Sequence, residues 1–192
     1  MSLVKRPKIG YTKQGLAAGR IWQYRQILEK RKTGGSRVED MKLYDISGEQ
    51  FSAMDAPRHL MTEEGTAQTT LDRSLGICQV AELEGKVTRE VLEEVMEEDC
   101  ERLLIRGDAQ ITRDGADYLA EKKLVLLGVE QETVGNETSG NDVHQQLLKK
   151  GTVIVENLNL EKVTSGHYFL VAAPVKKKHQ YGGPIRAVLI EN

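Results

Sequence analysis

The sequence predicts an α/β domain whose sheet content exceeds its helix content, and three observations carry that expectation. Beyond Ser36, segments with strand-type alternation take turns with segments of helical period. The run Leu124–Val129 is apolar throughout and too short for a helix, as a strand buried on both faces would be. A glycine stop, Gly151, stands between a helical stretch and the strand-type run Thr152–Glu156.

The elements follow in chain order. From Tyr11 to Lys32, the spacing of Leu16, Ile21, Trp22, Ile27 and Leu28 suits a helix with one apolar stripe, weakened at its start by Gly15 and Gly19. Thr33-Gly34-Gly35-Ser36 ends it and reads as a hinge, so the division expected is a basic arm over 1–40 and an α/β domain over 41–192. A helix on a hinge cannot bury its stripe alone and must dock on the body or on another subunit. Lys42–Ser47 alternates with period two, and Ile77–Leu83 and Glu101–Ile105 read as further strands. Thr88 is an N-cap candidate, with Glu90 in the first turn and Val91, Leu92, Val95 and Met96 on one face. Thr112 caps a shorter helix ending near Lys123. A helix from Ser139 or Asn141 runs to Lys150, and Tyr168–Val175 and Ile185–Ile190 complete the strands.

Among 192 residues, 39% are hydrophobic and 29% charged, a globular composition with no apolar run of the length a spanning helix needs. The first residues lack a positive-then-apolar signal pattern, and the two cysteines, Cys78 and Cys100, are far apart. A cytoplasmic protein is expected, without a disulfide scaffold or a cysteine-rich zinc module. The net charge of −2 conceals a split: residues 1–40 carry +7 and residues 41–192 carry −9. Such an arm suits nucleic acid or an acidic protein surface. With only Tyr11, Trp22 and Tyr24 able to stack on bases, the acidic body of this chain or of a second copy is the preferred partner, and neither nucleic acid nor a membrane is expected.

Nucleophile-elbow, P-loop and dinucleotide signatures are absent. Two constellations remain. In Met54-Asp55-Ala56-Pro57-Arg58-His59, Pro57 fixes its own backbone and biases Ala56 away from helix. The segment reads as a rigid irregular turn presenting Asp55 and His59, either as a metal-ligand or acid–base pair or as a turn aspartate beside a surface histidine. The second joins His144 to Glu156. Six helical residues at ~1.5 Å carry the chain ~9 Å to Lys150, Gly151 reverses it, and four or five strand residues at ~3.3 Å bring it back ~13–16 Å. Glu156 thus returns to the level of His144, as a metal ligand or as a strand-end partner for a lysine. His167 and His179 are expected to be exposed, and Lys176-Lys177-Lys178 reads as a solvated loop.

Together these segments resemble the cyclase family of metal-dependent hydrolases, of the kynurenine formamidase type, which carries His-x-Gly-Thr-His-x-Asp-Ala-Pro-x-His. Over Glu49–His59 this chain keeps the Asp-Ala-Pro-x-His half. Leu104-Ile105-Arg106, Leu126–Glu130, the twelve-residue step from His144 to Glu156 with Asn157-Leu158 after it, and Gly183–Ala187 continue the resemblance in order over about 41–192. The resemblance implies a swivelling β/β/α fold with mixed sheets and flanking helices, and a homo-oligomer, dimer or tetramer. It also implies a metal-activated water acting on a small molecule with an amide, formamide or lactone carbonyl; hydrolysis of an aryl formamide in tryptophan breakdown is the family's best-known activity. Asp55, His144 and Glu156 then correspond to metal ligands and His59 to the general acid–base residue.

The departures are specific. Glu49 replaces the first of the family's metal-binding histidines and Ala53 the second. Glu49 could serve as a fourth carboxylate ligand; Ala53 can ligate nothing. One imidazole with carboxylates describes a site for a single divalent metal, zinc or manganese foremost, with magnesium and iron(II) also suited to so oxygen-rich a set. Without metal the carboxylates would crowd, and Arg58, Arg106 and Arg186 are candidates to neutralise them. The alternative is a catalytically inactive relative serving as an oligomeric binding or structural protein.

Overall fold

A computed structural model of the chain describes residues 41–49, 51–55, 71–135, 140–175 and 182–191. The expected arm over 1–40, with its helix and hinge, lies outside them, as do Arg58, His59, Lys176–Lys178 and His179. In chain order the elements are β1 (Lys42–Asp45), β2 (Ser52–Asp55), α1 (Leu71–Ser74), β3 (Leu75–Glu82), β4 (Gly85–Val87), α2 (Arg89–Val95), β5 (Arg102–Arg106) and β6 (Ala109–Ile111), then α3 (Arg113–Glu121), β7 (Leu126–Val129), α4 (Gly140–Lys150), β8 (Val153–Glu156), β9 (Gly166–Val171), β10 (Gly182–Ile185) and β11 (Val188–Glu191).

Nine strands form one mixed sheet in the order β1-β11-β9-β3-β5-β7-β8-β2-β10, while β4 and β6 pair separately. Its centre, β3-β5-β7-β8, is parallel, and the flanking pairs are antiparallel. The sheet cannot lie flat. Only Arg186 and Ala187 join β10 to β11, yet the two strands stand seven places apart in the sheet order. Seven spacings of ~4.8 Å would separate them by ~34 Å in a flat sheet, and two linking residues span only ~10 Å. The sheet therefore curls until its ends nearly meet, where Ile46 N donates to Ala187 O at 3.0 Å and Ala187 N donates to Ser47 Oγ at 3.1 Å.

Curling divides the interior into two cores. One lies inside the sheet and gathers Met54, Cys78, Val80, Leu104, Leu126, Val153, Val155, Leu170 and Leu189. The other lies between the outer face of the central strands and the helices, and holds Ala81, Leu103, Ile105, Leu127, Val129 and Ile154 against Leu92, Leu119, Val143 and Leu147. Alternate residues of each central strand go to opposite cores, which is why Leu103-Leu104-Ile105 and Val153-Ile154-Val155 are apolar at every position.

Several expectations require correction. Ile185–Ile190 is not one strand but the end of β10 and most of β11, broken at Arg186–Ala187 where the sheet closes. Of the irregular turn expected over Met54–His59, Met54 and Asp55 instead end strand β2, and the rest lies outside the described residues. At Thr88 the position is right but the chemistry differs: the hydroxyl makes no capping bond and instead donates to Glu90 Oε2 at 2.8 Å, while Asp114 Oδ2 accepts the Arg89 N–H at 2.9 Å. Thr112 does cap α3, accepting from Gly115 N at 3.3 Å.

Candidate metal centre

Three elements deliver three side chains to one place. On β2, Met54 points into the inner core, so Ala53 and Asp55 on either side of it face outward. On β8, Val155 is likewise in the inner core and Glu156 faces outward. The antiparallel β2·β8 register sets Ala53 directly opposite Glu156 and Asp55 opposite Ile154, which puts both carboxylates on the helix-covered face. The third side chain comes from α4, where Val143, Leu147 and Leu148 bury that helix's apolar stripe against this face and His144 shares it. Because α4 leads through Gly151, at φ 100°, directly into β8, His144 and Glu156 meet as the hairpin arithmetic anticipates.

The His144 imidazole Nε2 lies 3.0 Å from Asp55 Oδ2 and 3.8 Å from Glu156 Oε1. One ligand atom from each of the three residues lies within 4.8 Å of the others. Glu156 is the most enclosed, its side chain 12% exposed against 34% for Asp55. Burial, first, raises the Glu156 carboxyl above the usual carboxylate range; attraction to His144 opposes this, repulsion from Asp55 adds to it, and the N–H of Val134, donating to Oε1 at 3.2 Å, opposes it. The trio thus offers three potential donor atoms, two of them oxygens, at spacings one divalent cation can bridge, which is the fit such an ion requires.

The remaining candidates fall elsewhere. Glu49 is exposed and does not join the trio. His59 lies outside the described residues. Arg106 does not neutralise these carboxylates: it pairs with Glu82 at 3.4 Å and donates to Val163 O at 3.1 Å. Nor does Arg186, which reaches Asp45 at 2.6 Å. Glu130, aligned with an aspartate of the family pattern, accepts backbone N–H groups from Gly107 and Leu160, each at 2.7 Å. His167 is exposed and paired with Glu97 at 3.2 Å. Burial pushes the Cys78 and Cys100 thiols up to about 12, so neither is a ready nucleophile.

One contributor escapes the sequence reading. Gly182 pairs with Asp55 across the β10·β2 ladder, and a Cβ there would occupy the space of Asp55 Oδ1. The available signal is the Gly-Gly-Pro run at 182–184, which suits a solvated loop equally well.

A curled mixed sheet with helices over one face, where two strand-end carboxylates meet a helix histidine, defines a cyclase-type hydrolase fold. A solved structure described as a potential metal-dependent hydrolase with cyclase activity superposes with a TM-score of 0.72 at 20% identity, over 79% of this chain and 100% of that one. Isatin hydrolase A from Labrenzia aggregata, bound to benzyl benzoate, gives a TM-score of 0.67 at 14% identity, over 88% and 98%. No protein-family model matches the chain. Among sequences, the kynurenine formamidase of Bacillus cereus is 32% identical over 186 residues, covering 88% of this chain and 87% of the relative. The chain belongs to the kynurenine formamidase family of hydrolases.

Proposed function

We propose that the protein is a metal-dependent hydrolase of small molecules carrying an amide, aryl formamide or lactone carbonyl, and that Asp55, His144 and Glu156 hold its divalent metal. The observation that carries this reading is the convergence of three ligand-type side chains, from β2, α4 and β8, within 4.8 Å. Family membership supports the reaction class. When bound, such a cation acidifies a water and polarises a carbonyl oxygen.

The chain's own residues do the rest. Asp55 and Glu156 supply negative charge that draws the cation in and holds it, and His144 orients against Asp55. Ala53, directly opposite Glu156, offers no donor atom, so beside Asp55, His144 and Glu156 that strand position would contribute no ligand. His59 carries the proton to the leaving group. Glu49 is left out of the ligand set. One imidazole with two carboxylates favours manganese at least as well as zinc.

The test is metal content of the purified chain and of Asp55→Ala, followed by hydrolysis of N-formylkynurenine and of simple lactones. Stoichiometric metal lost in Asp55→Ala, with turnover of a formamide or lactone, is the expected result. A wild-type chain that takes up neither Mn²⁺ nor Zn²⁺ would overturn it and return the protein to an inactive, structural role. His59→Ala should keep the metal and lose turnover.

A further inference from the structure

Immediately after Glu156 the chain takes an unusual turn. Asn157 sits at φ 59°, the left-handed region that asparagine enters more readily than most residues bearing a side chain. In that conformation three of its polar groups are engaged. Its N–H donates to Gln131 O at 2.9 Å, its carbonyl accepts from Ser52 Oγ at 2.8 Å, and its Nδ2 donates to Phe51 O at 2.6 Å. Ser52 is fully buried, and its Oγ also accepts the Gly48 N–H at 2.9 Å. A Cβ at Gly48 would run into the Asn157 carbonyl oxygen, so the approach of the two segments depends on that glycine.

These bonds sit where register is decided. Asn157 leaves β8, which carries Glu156, and it grips Phe51, just before β2, and Ser52, the first residue of β2, which carries Asp55. The β2·β8 ladder itself has only three residue pairs, Ala53↔Glu156, Met54↔Val155 and Asp55↔Ile154. A slip of one residue would turn Asp55 into the inner core, and a slip of two would keep its face but carry it ~7 Å along the strand. The buried Met54 opposes the first slip, which would expose it; against the second, which keeps every side chain on its face, a three-pair ladder has little of its own.

We infer that Asn157 is a positioning residue for the metal centre: its side-chain amide and left-handed backbone pin β2 to β8 in the one register that brings the Asp55 and Glu156 carboxylates together. This rests on the reading of Asp55, His144 and Glu156 as ligands. Groups that orient ligands without touching the metal commonly change affinity by about 10- to 100-fold when removed.

The experiment uses the full chain with Mn²⁺ as probe, its affinity measured by titration calorimetry, and with saturating Co²⁺, whose visible spectrum reports ligand geometry. Asn157→Gly keeps the left-handed backbone and deletes the amide; Asn157→Asp keeps the shape and sets an acceptor against Phe51 O. Ile111→Val, in the helix-side core, is the control for loss of stability alone. Both Asn157 variants should weaken Mn²⁺ binding at least about tenfold and alter the Co²⁺ spectrum, whereas Ile111→Val should lower the melting temperature and move neither. Wild-type affinity and spectrum in either folded Asn157 variant would overturn the inference. So would failure of both to fold, since Asn157 would then serve the fold and not the site. A wild-type chain that binds no Mn²⁺, or Asp55→Ala binding it unchanged, sinks the ligand assignment itself, and that result is visible before Asn157 is altered.

Discussion

Asp55 and Glu156 approach each other closely enough to bridge one cation, and in the metal-free protein that proximity carries a penalty. Burial and the Asp55 charge together hold the Glu156 carboxyl above its ordinary range, despite His144. A carboxyl raised on folding favours its protonated form, so its contribution to stability is fully present below the unfolded pKa and is lost as pH rises through the folded one. In chelator, Glu156→Gln should therefore match or exceed the wild-type melting temperature at pH 8, lose that advantage as the pH drops below the carboxylate range, and bind no Mn²⁺; a clear loss of stability at pH 8 would contradict this. Gly182 makes the complementary case. A methyl group there claims the volume of Asp55 Oδ1, so Gly182→Ala should cost about tenfold or more in Mn²⁺ affinity by the same titration, and unchanged affinity would show that Asp55 has room to swing. These two residues were unequally legible. Glu156 could be read from its twelve-residue distance to His144. Gly182 could not, because what matters is the strand beside it, and nothing local in Gly-Gly-Pro names that neighbour.

Elements whose pattern is local are legible in the sequence. The α4–Gly151–β8 hairpin follows from helical spacing, a glycine stop and an apolar strand, and all three signals lie within the segment that forms it. Strand β2 is not legible because four residues, Ser-Ala-Met-Asp, show no alternation of polarity strong enough to declare a strand; its pairing with β8 and β10 makes it one. The break at Arg186–Ala187 is hidden for a related reason: the residues on both sides are strand formers, and only closure of the sheet, a property of all nine strands, separates them. Because α4 carries His144 on its packed face, the helix's burial and the site's geometry are one quantity. Leu147, fully buried one turn from His144, should show it. Leu147→Ala is expected to cost about 2–5 kcal/mol in urea unfolding and to weaken Mn²⁺ binding as well, since the helix re-seats over the cavity. Full loss of stability with unaltered affinity would mean that His144 is placed by its contacts at the site and not by the helix.

At the scale of the whole chain the strongest unexplained quantity is the charge split, +7 over residues 1–40 against −9 over the remainder. Part of the body's acid is now accounted for: Asp55 and Glu156 belong to the candidate site, and Glu130 is committed to two backbone N–H groups. Several others are paired within the body, Glu82 with Arg106, Glu121 with Arg89 and Asp45 with Arg186; whether the rest serves as a counter-surface joining copies through residues 1–40 is a question for experiment. Two forces would hold such an assembly, the opposite charges and the arm's apolar positions Leu16, Ile21, Trp22, Ile27 and Leu28, and salt separates them. Raising ionic strength from about 0.1 M to about 1 M shortens the screening length from ~10 Å to ~3 Å while leaving apolar contacts intact or stronger. If charge complementarity joins the subunits, light scattering on the full chain should show a dimer or tetramer at the lower salt and a shift toward the single-chain mass at the higher. An oligomer indifferent to salt would assign the joint to the apolar stripe, and a single-chain mass under both conditions would remove the arm from assembly altogether.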